Sequence, residues 1–560
     1  MTPNDWTRRD VLKFGLFGAA MLGGGAALLE ACATSSSTTT GTSPRKGGHL
    51  IYGGSDIGNL NPILTADLIS GSVALLMFDP LVFFDNNANA VHMLAESEPT
   101  VSADEKTWTF TLRKGMKWSD GQPITADDVV YSFELLFAPK YASVNFQDRA
   151  TAEFVFESVT AKDPYTVVFQ LKIVFAPFYV YFCAVPIVPK HVLGRLTNDQ
   201  FNSGDWNNAP NVVSGPFKFV SWNKGSQLTL GRNENYYRGT TLLDGVIFKT
   251  ISGDATSSLL SGEVDWTQQI IPADLNRLSS GITVHAAEGY MMFLMPNLDP
   301  KKHGIKLFGD KNVRKALMYA LDRKAMVAGI FFGKAKVADN PWASASDPAS
   351  WAYDPNTQSQ YPFDKSKAES MLDAAGWTKG SDGIRAKDGV RMDFGVSVKN
   401  DVAWWVQLAE AVQEQWRAIG VSMNIKQTDR ATWVDESGNT RNFDMLMTGY
   451  VWFGFDPDPT VWWAKSATAL NALNGGLYWT PEMDALVAEG TSTTDRAKRK
   501  VTYSKVGTLY MDDLGWGLPL VATPDLWAFS NRVVLPVEIG GYTQVTNWYW
   551  LLNTYVTSGQ

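Results

Sequence analysis

The segment GYVWFGFDPDPTVWW, residues 449–463, places two carboxylates, Asp456 and Asp458, among six aromatic side chains. Two carboxylates are sufficient for a glycoside hydrolase, which holds them about 5–5.5 Å or 6.5–9.5 Å apart across the scissile bond. A proline follows each carboxylate, however, and such a run is typical of a rigid turn whose carboxylates accept hydrogen bonds from backbone N–H groups. Contact with a bound ligand is a third interpretation, and the segment alone leaves all three open.

Other residue types that carry chemistry are sparse. The five histidines are far apart in the sequence and show no zinc-type or iron-type spacing. Cys183 lies in the apolar run VYFCAVPIV, which predicts a buried, unreactive thiol. The run GIFFGKA, residues 329–335, is one residue too short and lacks the Ser or Thr of a phosphate-binding loop. We therefore predict a binding protein without a cofactor or metal, and not an enzyme.

Length and charge limit the possible architectures and partners. A chain of 560 residues exceeds what one hydrophobic core supports, so two or three domains are expected. The net charge of −8 argues against a nucleic-acid partner, which would require a basic face. Only one cysteine, Cys183, follows residue 32, so no disulfide framework is expected in the mature protein.

Strand and helix patterns alternate along the chain and predict an α/β fold. Residues 107–112 have the two-residue alternation of a half-buried strand. A helix is predicted after Thr125, which can act as its N-cap. Residues 311–331 have a helical apolar face, and two further amphipathic helices are predicted to end near Gly376 and Gly420.

The N-terminus has the features of an export signal. Arg8 and Arg9 precede an apolar stretch at residues 14–29, which is shorter than the roughly 20 residues that a membrane span requires. This arrangement resembles a twin-arginine signal. Cys32 follows a small residue at the end of the stretch and resembles a lipidation site. We predict an export signal with a lipoprotein box at residues 1–32 and a flexible tether at residues 33–46. An ordinary cleaved signal is the alternative.

A series of motifs in the body resembles the bacterial extracellular solute-binding proteins of family 5, the peptide/nickel class. The longest is MLAESEPTVSADEKTWTFTLRKGMKWSDGQPITADDVVYSFELL, residues 93–136. The others, in the order of the family, are GNLNP (58–62), SGPFKFVSW (214–222), LDGVIFKTI with LLSGEVD (243–265), GDKNVRKALMYALDR (309–323), YPFDKSKAESMLDAAGW (361–377), IGVSMNIK (419–426) and NFDMLMTGY with DPDP (442–459). The resemblance thus covers nearly the whole mature chain.

The resemblance implies a two-lobed, periplasmic-binding-protein-like clamp that closes about a hinge. The predicted domains are lobe I (47–76, 206–297 and 525–560), an inserted subdomain (77–205) and lobe II (298–524). The implied function is that of a substrate-binding receptor of an ATP-driven importer. Its partners would be a permease and the membrane, and the protein would be an exported monomer anchored to the outer face of the cytoplasmic membrane. A sensor or docking lipoprotein and a secreted glycoside hydrolase are the alternatives.

Candidate ligand-binding residues follow predicted strands, where ligands of α/β proteins bind. They are Trp404, Trp405, Trp452, Phe453, Asp456 and, from the opposite lobe, Asn61. Peptide-binding relatives commonly place a carboxylate for the ligand's amino group just before the D-P-D run, but residues 451–455 contain no acid. The missing acid and the tryptophans favour an uncharged cargo such as an oligosaccharide, with an oligopeptide as the alternative.

Overall fold

The computed structural model divides the chain into two units, Met1–Arg45 and Lys46–Gln560, and every element described below belongs to the second. The described residues are 45–560, except for the segments 66–67, 86–88, 138–154, 279, 343–350, 353–359, 401–402, 451–455, 460–475, 536–550, 552 and 558–560. Arg8, Arg9, Cys32, Trp452 and Phe453 therefore lie outside the described residues.

The strands of the described part run from β1 to β22. They are β1 His49–Gly54, β2 Val82–Phe84, β3 Ala90–His92, β4 Thr100–Val101, β5 Thr107–Thr111, β6 Phe156–Asp163, β7 Thr166–Leu171, β8 Phe217–Asn223, β9 Gln227–Arg232, β10 Gly245–Thr250, β11 Trp266–Thr267, β12 Ile282–Pro296, β13 Lys336–Val337, β14 Thr378–Lys379, β15 Arg385–Lys387, β16 Val390–Arg391, β17 Asp393–Lys399, β18 Ser422–Thr428, β19 Met445–Tyr450, β20 Leu518–Ser530, β21 Val533–Val534 and β22 Tyr555–Val556.

The α-helices of the same part run from α1 to α14. They are α1 Leu68–Met77, α2 Ala126–Phe137, α3 Phe178–Tyr181, α4 Lys190–Leu193, α5 Asn198–Ser203, α6 Ala255–Leu260, α7 Gly304–Phe308, α8 Lys311–Tyr319, α9 Arg323–Ile330, α10 Lys365–Ala374, α11 Ala403–Arg417, α12 Arg430–Val434, α13 Pro481–Thr491 and α14 Arg496–Asp513. Among these described helices, none has the length and apolar character needed to cross a membrane.

Local sequence signals account for several element boundaries. The predicted alternating strand is confirmed as β5, in which Trp108 and Phe110 are buried between less buried neighbours. The helix predicted after Thr125 is confirmed as α2, and the Asp128 carboxylate accepts the Thr125 N–H at 2.9 Å. This bond satisfies a donor that the helix start would otherwise leave without an intrahelical partner.

The two predicted helix ends at glycines are confirmed as well. Gly376 and Gly420 follow α10 and α11 within three residues and have φ angles of +84° and +89°. Glycine has no Cβ and adopts this left-handed conformation without a steric penalty, so it terminates a helix readily.

The helical pattern over residues 311–331 forms two helices and not one. α8 ends at Tyr319, and Asp322 then caps α9 by accepting the Ala325 N–H at 2.9 Å. The apolar periodicity continues across the break, which is why periodicity alone predicted a continuous helix. The short polar side chain at Asp322 starts a second helix instead.

One mixed sheet of eleven strands organises the described body. Its order is β18-β17-β19-β12-β20-β11-β1-β10-β9-β8, and β13 pairs with β20 outside this path. The strands β17, β18 and β19 are parallel at one end, and β1, β10 and β11 are parallel toward the other. A separate four-stranded sheet, β4-β5-β7-β6, lies within residues 77–205.

Two large hydrophobic cores pack against this sheet. Core A contains residues between Leu50 and Phe248 together with Trp266, Trp527, Phe529, Leu551 and Val556. Core B contains residues between Met291 and Ala522. Core A includes residues of the 77–205 segment as well as residues of β1 and β10. The segment is therefore joined to the large sheet by continuous apolar packing.

The strands β12 and β20 connect the two cores. They pair antiparallel from Ile282↔Ser530 to Leu294↔Leu518, and the register shifts between Glu288 and Met291 and again between Met292 and Phe293. Met291 belongs to core B. At the other end of the pair, Ile282 packs against a small cluster that includes Ile51 and Leu259. On β20, Leu520 belongs to core B and Trp527 to core A, so the hydrogen-bonded pair passes from one core to the other.

Candidate functional site

The carboxyl ends of β17, β18 and β19 form one edge of the sheet on the core B side. β17 is parallel to both neighbours, so the three strands end on the same side, at Lys399, Thr428 and Tyr450. The helix α11, with Trp404 and Trp405 in its first turn, follows β17, and the D-P-D-P run at residues 456–459 follows β19. Such edges are where α/β sheets bind ligands.

The two tryptophans of α11 have different surroundings. Trp405 is 4% exposed and belongs to core B. Trp404 is only partly buried, and its ring packs edge-on against Phe331 with 5.4 Å between the centroids. Trp404 keeps some exposed surface and Trp405 almost none, so the structure does not present the predicted pair as one open platform.

Lys399 and Trp433 join this edge and were not singled out from the sequence. The Lys399 ammonium lies 4.1 Å from the ring centroid of Trp405 and 5.3 Å from that of Trp433. The Trp433 indole N–H donates to the Met447 carbonyl at 3.1 Å, which fixes the ring against β19. The sequence signal for this contact is a lysine at the last position of a predicted strand. That signal alone does not predict a cation–π contact, because one of the aromatic partners, Trp433, is 34 residues further along the chain.

Asp456 is a buried ion-pair partner. Its two oxygens accept hydrogen bonds of 2.6 Å from the two terminal nitrogens of Arg499, and both side chains are almost fully buried. Burial opposes the charge of Arg499, but the charge and hydrogen bonds of Asp456 outweigh burial and raise the pKa of that guanidinium. The Asp456 carboxylate also accepts the Asp458 N–H at 3.1 Å, which confirms the predicted turn bond.

Asp458 is also enclosed. Its Oδ1 accepts a long hydrogen bond of 3.4 Å from the Tyr503 hydroxyl, and its carbonyl accepts the Tyr181 hydroxyl at 2.9 Å. The Pro457 carbonyl between the two carboxylates accepts the Trp342 indole N–H at 3.0 Å. These contacts hold the run from several sides and give it the role of a rigid turn, which the sequence offered as one of three interpretations.

Asn61 has no exposed surface. Its side-chain amide donates to Asn207 Oδ1 at 2.8 Å, and its Oδ1 accepts the Ile63 N–H at 3.0 Å. These contacts of Asn61 are those of a residue that stabilises a turn.

The 77–205 segment contacts the core B region at several points. Besides the Tyr181 bond to the Asp458 carbonyl, the Ala176 N–H donates to the Thr491 carbonyl at 2.9 Å. Glu105 accepts the Thr494 N–H at 2.8 Å. These contacts join the 77–205 segment to residues between 458 and 494, far along the chain.

Known proteins match this chain over most of its length. The model for the middle region of the bacterial extracellular solute-binding proteins, family 5, matches residues 89–472. The oligopeptide-binding protein AppA of Bacillus subtilis is 27% identical over 512 residues, which cover 89% of each chain. The solved structure of AppA in complex with a nonapeptide has a TM-score of 0.78 and 25% identity, and the match covers 92% of this chain and 100% of that one.

A second solved structure gives the same fold. NikZ from Campylobacter jejuni in complex with Ni(L-His) has a TM-score of 0.76 and 26% identity, with 90% of this chain and 98% of that chain covered. Together with the large mixed sheet, these matches define a two-lobed, periplasmic-binding-protein-like clamp with an inserted subdomain. The chain belongs to the bacterial extracellular solute-binding proteins, family 5. It is therefore a binding protein and not an enzyme.

Proposed function

We propose that this protein is the substrate-binding receptor of an ATP-driven (ABC) importer and that it captures an oligopeptide by closure of two lobes. The observation that carries the proposal is the match to AppA, an oligopeptide-binding protein whose structure holds a nonapeptide, over 92% of this chain.

A peptide accounts for the described edge better than the oligosaccharide that the sequence favoured. The oligosaccharide prediction rested on the acid missing from residues 451–455 and on tryptophan platforms, and one of these tryptophans, Trp405, is packed into core B. We propose that Trp404, Trp452 and Phe453 contact side chains of the peptide, and that Trp405, Asp456 and Asn61 support the walls of the cleft. Aromatic rings serve such a role because they offer large apolar faces at little entropic cost.

We further propose that lobe I comprises residues 47–76, 206–297 and 525–560, that 77–205 is inserted into it, and that lobe II comprises 298–524. The separation into two cores supports this division on either side of β12, whose residues 291–295 already belong to core B. Closure would bend β12 and β20, where the irregular pairing between Glu288 and Met291 interrupts the ladder. The contacts from Ala176 and Tyr181 to the lobe II region would then belong to the closed form.

The proposed site of action is the outer face of the cytoplasmic membrane. The Arg8–Arg9 pair would direct export, and lipid attached to Cys32 would hold a monomer beside its permease while residues 33–46 act as a tether. Two lipid-linked alternatives share this arrangement, a sensor and a docking lipoprotein, and only transport of the captured ligand distinguishes the receptor from them.

Native mass spectrometry of freshly purified protein tests the nature of the ligand. We expect co-purifying masses that fragment as peptides and disappear from the same preparation after denaturation and refolding. Masses that fragment as hexose oligomers would contradict the peptide proposal.

Small-angle scattering tests closure of the lobes. We expect a smaller radius of gyration after the refolded protein is saturated with the recovered ligand. An unchanged radius would contradict the clamp mechanism without affecting the identity of the ligand.

A further inference from the structure

A second strand edge, on the core A side, contains polar groups that are separate from the edge formed by β17, β18 and β19. β1 is parallel to both β10 and β11, so the three strands end together at Gly54, Thr250 and Thr267. β20 runs antiparallel beside β11, with Thr267 opposite Ala528. The residues of β20 before Ala528 therefore extend past the carboxyl end of β11, where ligands of α/β sheets bind.

Asp525 lies in that extension of β20. Side chains alternate along a strand, so Asp525 shares a face with Trp527 and Phe529, both of which belong to core A. Its carboxylate accepts the Trp527 indole N–H at 2.7 Å. Across the described segments, no lysine, arginine or histidine pairs with it, whereas the buried carboxylates Asp265 and Asp456 each pair with an arginine.

The surroundings of Asp525 disfavour its charge in the empty protein. The side chain keeps a partly exposed edge, yet burial raises the pKa of the carboxyl to about 7 in spite of the hydrogen bond from Trp527. A carboxylate in this state gains a partner when a cation enters, because the opposite charge offsets the lost hydration.

Gln268 is the residue that directly follows β11. Both its amide nitrogen and its amide oxygen are buried, and neither has a hydrogen-bond partner among the residues that the structure describes. Buried amides are paired in the great majority of proteins, so this one is suited to a ligand that supplies both an acceptor and a donor. Gln268 lies two residues after Trp266, a core A residue that stacks on Trp527 with 5.6 Å between the centroids.

Tyr52 completes the cluster from β1. A Cβ built on Gly54 would lie 2.2 Å from the Tyr52 hydroxyl, so this hydroxyl lies over the end of the strand. Burial and then the charge of Asp525 raise the pKa of Tyr52. The ring of Tyr52 contacts Trp266 at 4.5 Å between centroids.

We propose that Asp525, Gln268 and Tyr52 form a subsite that binds an ammonium group of the peptide ligand. Asp525 pairs with the charge, while the amide oxygen of Gln268 accepts an N–H and its nitrogen donates to a neighbouring carbonyl of the ligand. This inference rests on the proposed function, which supplies a peptide as the ligand. Residues 451–455 contain no acid, so Asp525 would supply the carboxylate that this segment lacks. The ammonium is either the amino terminus or a lysine side chain.

Calorimetric titrations with defined probes test the subsite. The first set consists of five alanine pentapeptides with one lysine walked through the five positions, and a second set carries norleucine in its place. Each peptide is made with a free and with an acetylated amino terminus. Titrations use the full mature protein and its variants Asp525→Asn and Asp525→Ser, with melting temperature as the check of folding. The control is Asp244→Asn, because Asp244 is an exposed acid at the amino-terminal edge of β10 in the same sheet.

We expect removal of one ammonium, by norleucine or by acetylation, to weaken binding to the parent protein at least tenfold. The arm that shows the loss identifies the source of the ammonium. In both Asp525 variants the same removal should change affinity less than twofold, while Asp244→Asn behaves like the parent. Gln268→Met should weaken all probes severalfold and keep the preference for ammonium.

An equal preference for ammonium in the parent and in either folded Asp525 variant would overturn the subsite while leaving the peptide receptor intact. If the parent protein binds neither the probes nor the peptide recovered from the native protein, the proposed function is wrong and the subsite falls with it. The recovered peptide therefore distinguishes the two failures.

Discussion

Arg499 clasps the Asp456 carboxylate with two parallel hydrogen bonds of 2.6 Å, and both side chains are nearly inaccessible to solvent. The Arg499 guanidinium also lies 5.6 Å from the ring centroid of Trp351. Two-pronged pairing of this kind sets orientation as well as charge. Arg499 thus fixes the D-P-D-P turn to α14. The turn follows β19 and so supports the candidate edge formed by the carboxyl ends of β17, β18 and β19.

Removal of this arginine should destabilise the protein. Arg499→Met leaves the buried Asp456 carboxylate without a counter-charge, so we expect the free energy of unfolding to fall by about 3–5 kcal/mol. Urea denaturation at neutral pH measures the change. Arg391→Gln is the matched control, because its pair with Asp382 is about half exposed and should be worth less than about 1 kcal/mol. Equal effects for the two variants would contradict the structural role of the buried pair.

The two neighbouring tryptophans of α11 should separate stability from binding. Trp405→Ala removes a core residue, and we expect a loss of about 3–5 kcal/mol in the free energy of unfolding. Trp404→Ala should weaken peptide binding roughly tenfold with a smaller loss of stability, because it removes buried apolar contact as well as stacking, which contributes on the order of 1 kcal/mol beyond area burial.

Trp452→Ala should also weaken peptide binding roughly tenfold. The melting temperature of this variant should be nearly unchanged. Calorimetry with the recovered peptide and thermal unfolding of the empty protein provide the two readouts. A large fall in melting temperature with unaltered affinity would show that the residue in question belongs to the core and not to the ligand surface.

Asp79 should make stability depend on pH. It is 1% exposed, and burial raises the pKa of its carboxyl to about 7 although Tyr237 donates a hydrogen bond of 2.7 Å to it. Between about pH 4 and pH 7 the folded protein holds a proton that the unfolded chain has released, so stability falls as the pH rises through this window.

Asp79→Asn should remove about one proton from this linkage, measured as the slope of unfolding free energy against pH. Asp525 contributes in the same direction and keeps part of the slope. The control is Asp382→Asn, since hydrogen bonding to Arg391 lowers the pKa of that exposed carboxyl and leaves it ionised throughout the window. A wild-type slope in Asp79→Asn would rule out this role for Asp79.

The envelope prediction concerns residues of the N-terminal segment. Cys32→Ala should release the protein from membranes into the soluble fraction, because it removes the proposed site of lipid attachment. Replacement of both Arg8 and Arg9 by lysine should block export through the twin-arginine route. Fractionation and immunoblotting measure both outcomes, with Cys183→Ala as the matched cysteine control. Membrane attachment that survives Cys32→Ala would refute the lipid anchor.

The sequence predicted much of the scaffold because local signals carry it. The alternation of β5, the start of α2 at Ala126 and the glycines after α10 and α11 each depend on a few adjacent residues. The spacing of Trp405 relative to the other apolar residues of α11 also indicates that Trp405 is a core residue. Leu408, Ala409, Val412 and Trp416 follow it at helical intervals, so Trp405 falls on the core face and Trp404 one step around the helix.

The site could not be predicted to the same extent because its contacts join residues far apart in the chain. The partner of Asp456 is 43 residues away, and the hydroxyl that contacts the Asp458 carbonyl comes from Tyr181, 277 residues earlier. No periodicity or motif records such pairings. The same limit applies to Gln268 and Asp525, whose common edge follows from strand order alone.

The ladder between β12 and β20 has a mechanical consequence. Two separate linkers would let the lobes swivel freely, whereas two paired strands behave as one ribbon that resists shear within its plane and flexes most easily across it. The lobes should therefore approach along a nearly one-dimensional path. Closed forms with ligands of different length would then differ mainly in one quantity, the opening angle between the lobes. A permease that docks on both lobes would distinguish these forms by that angle.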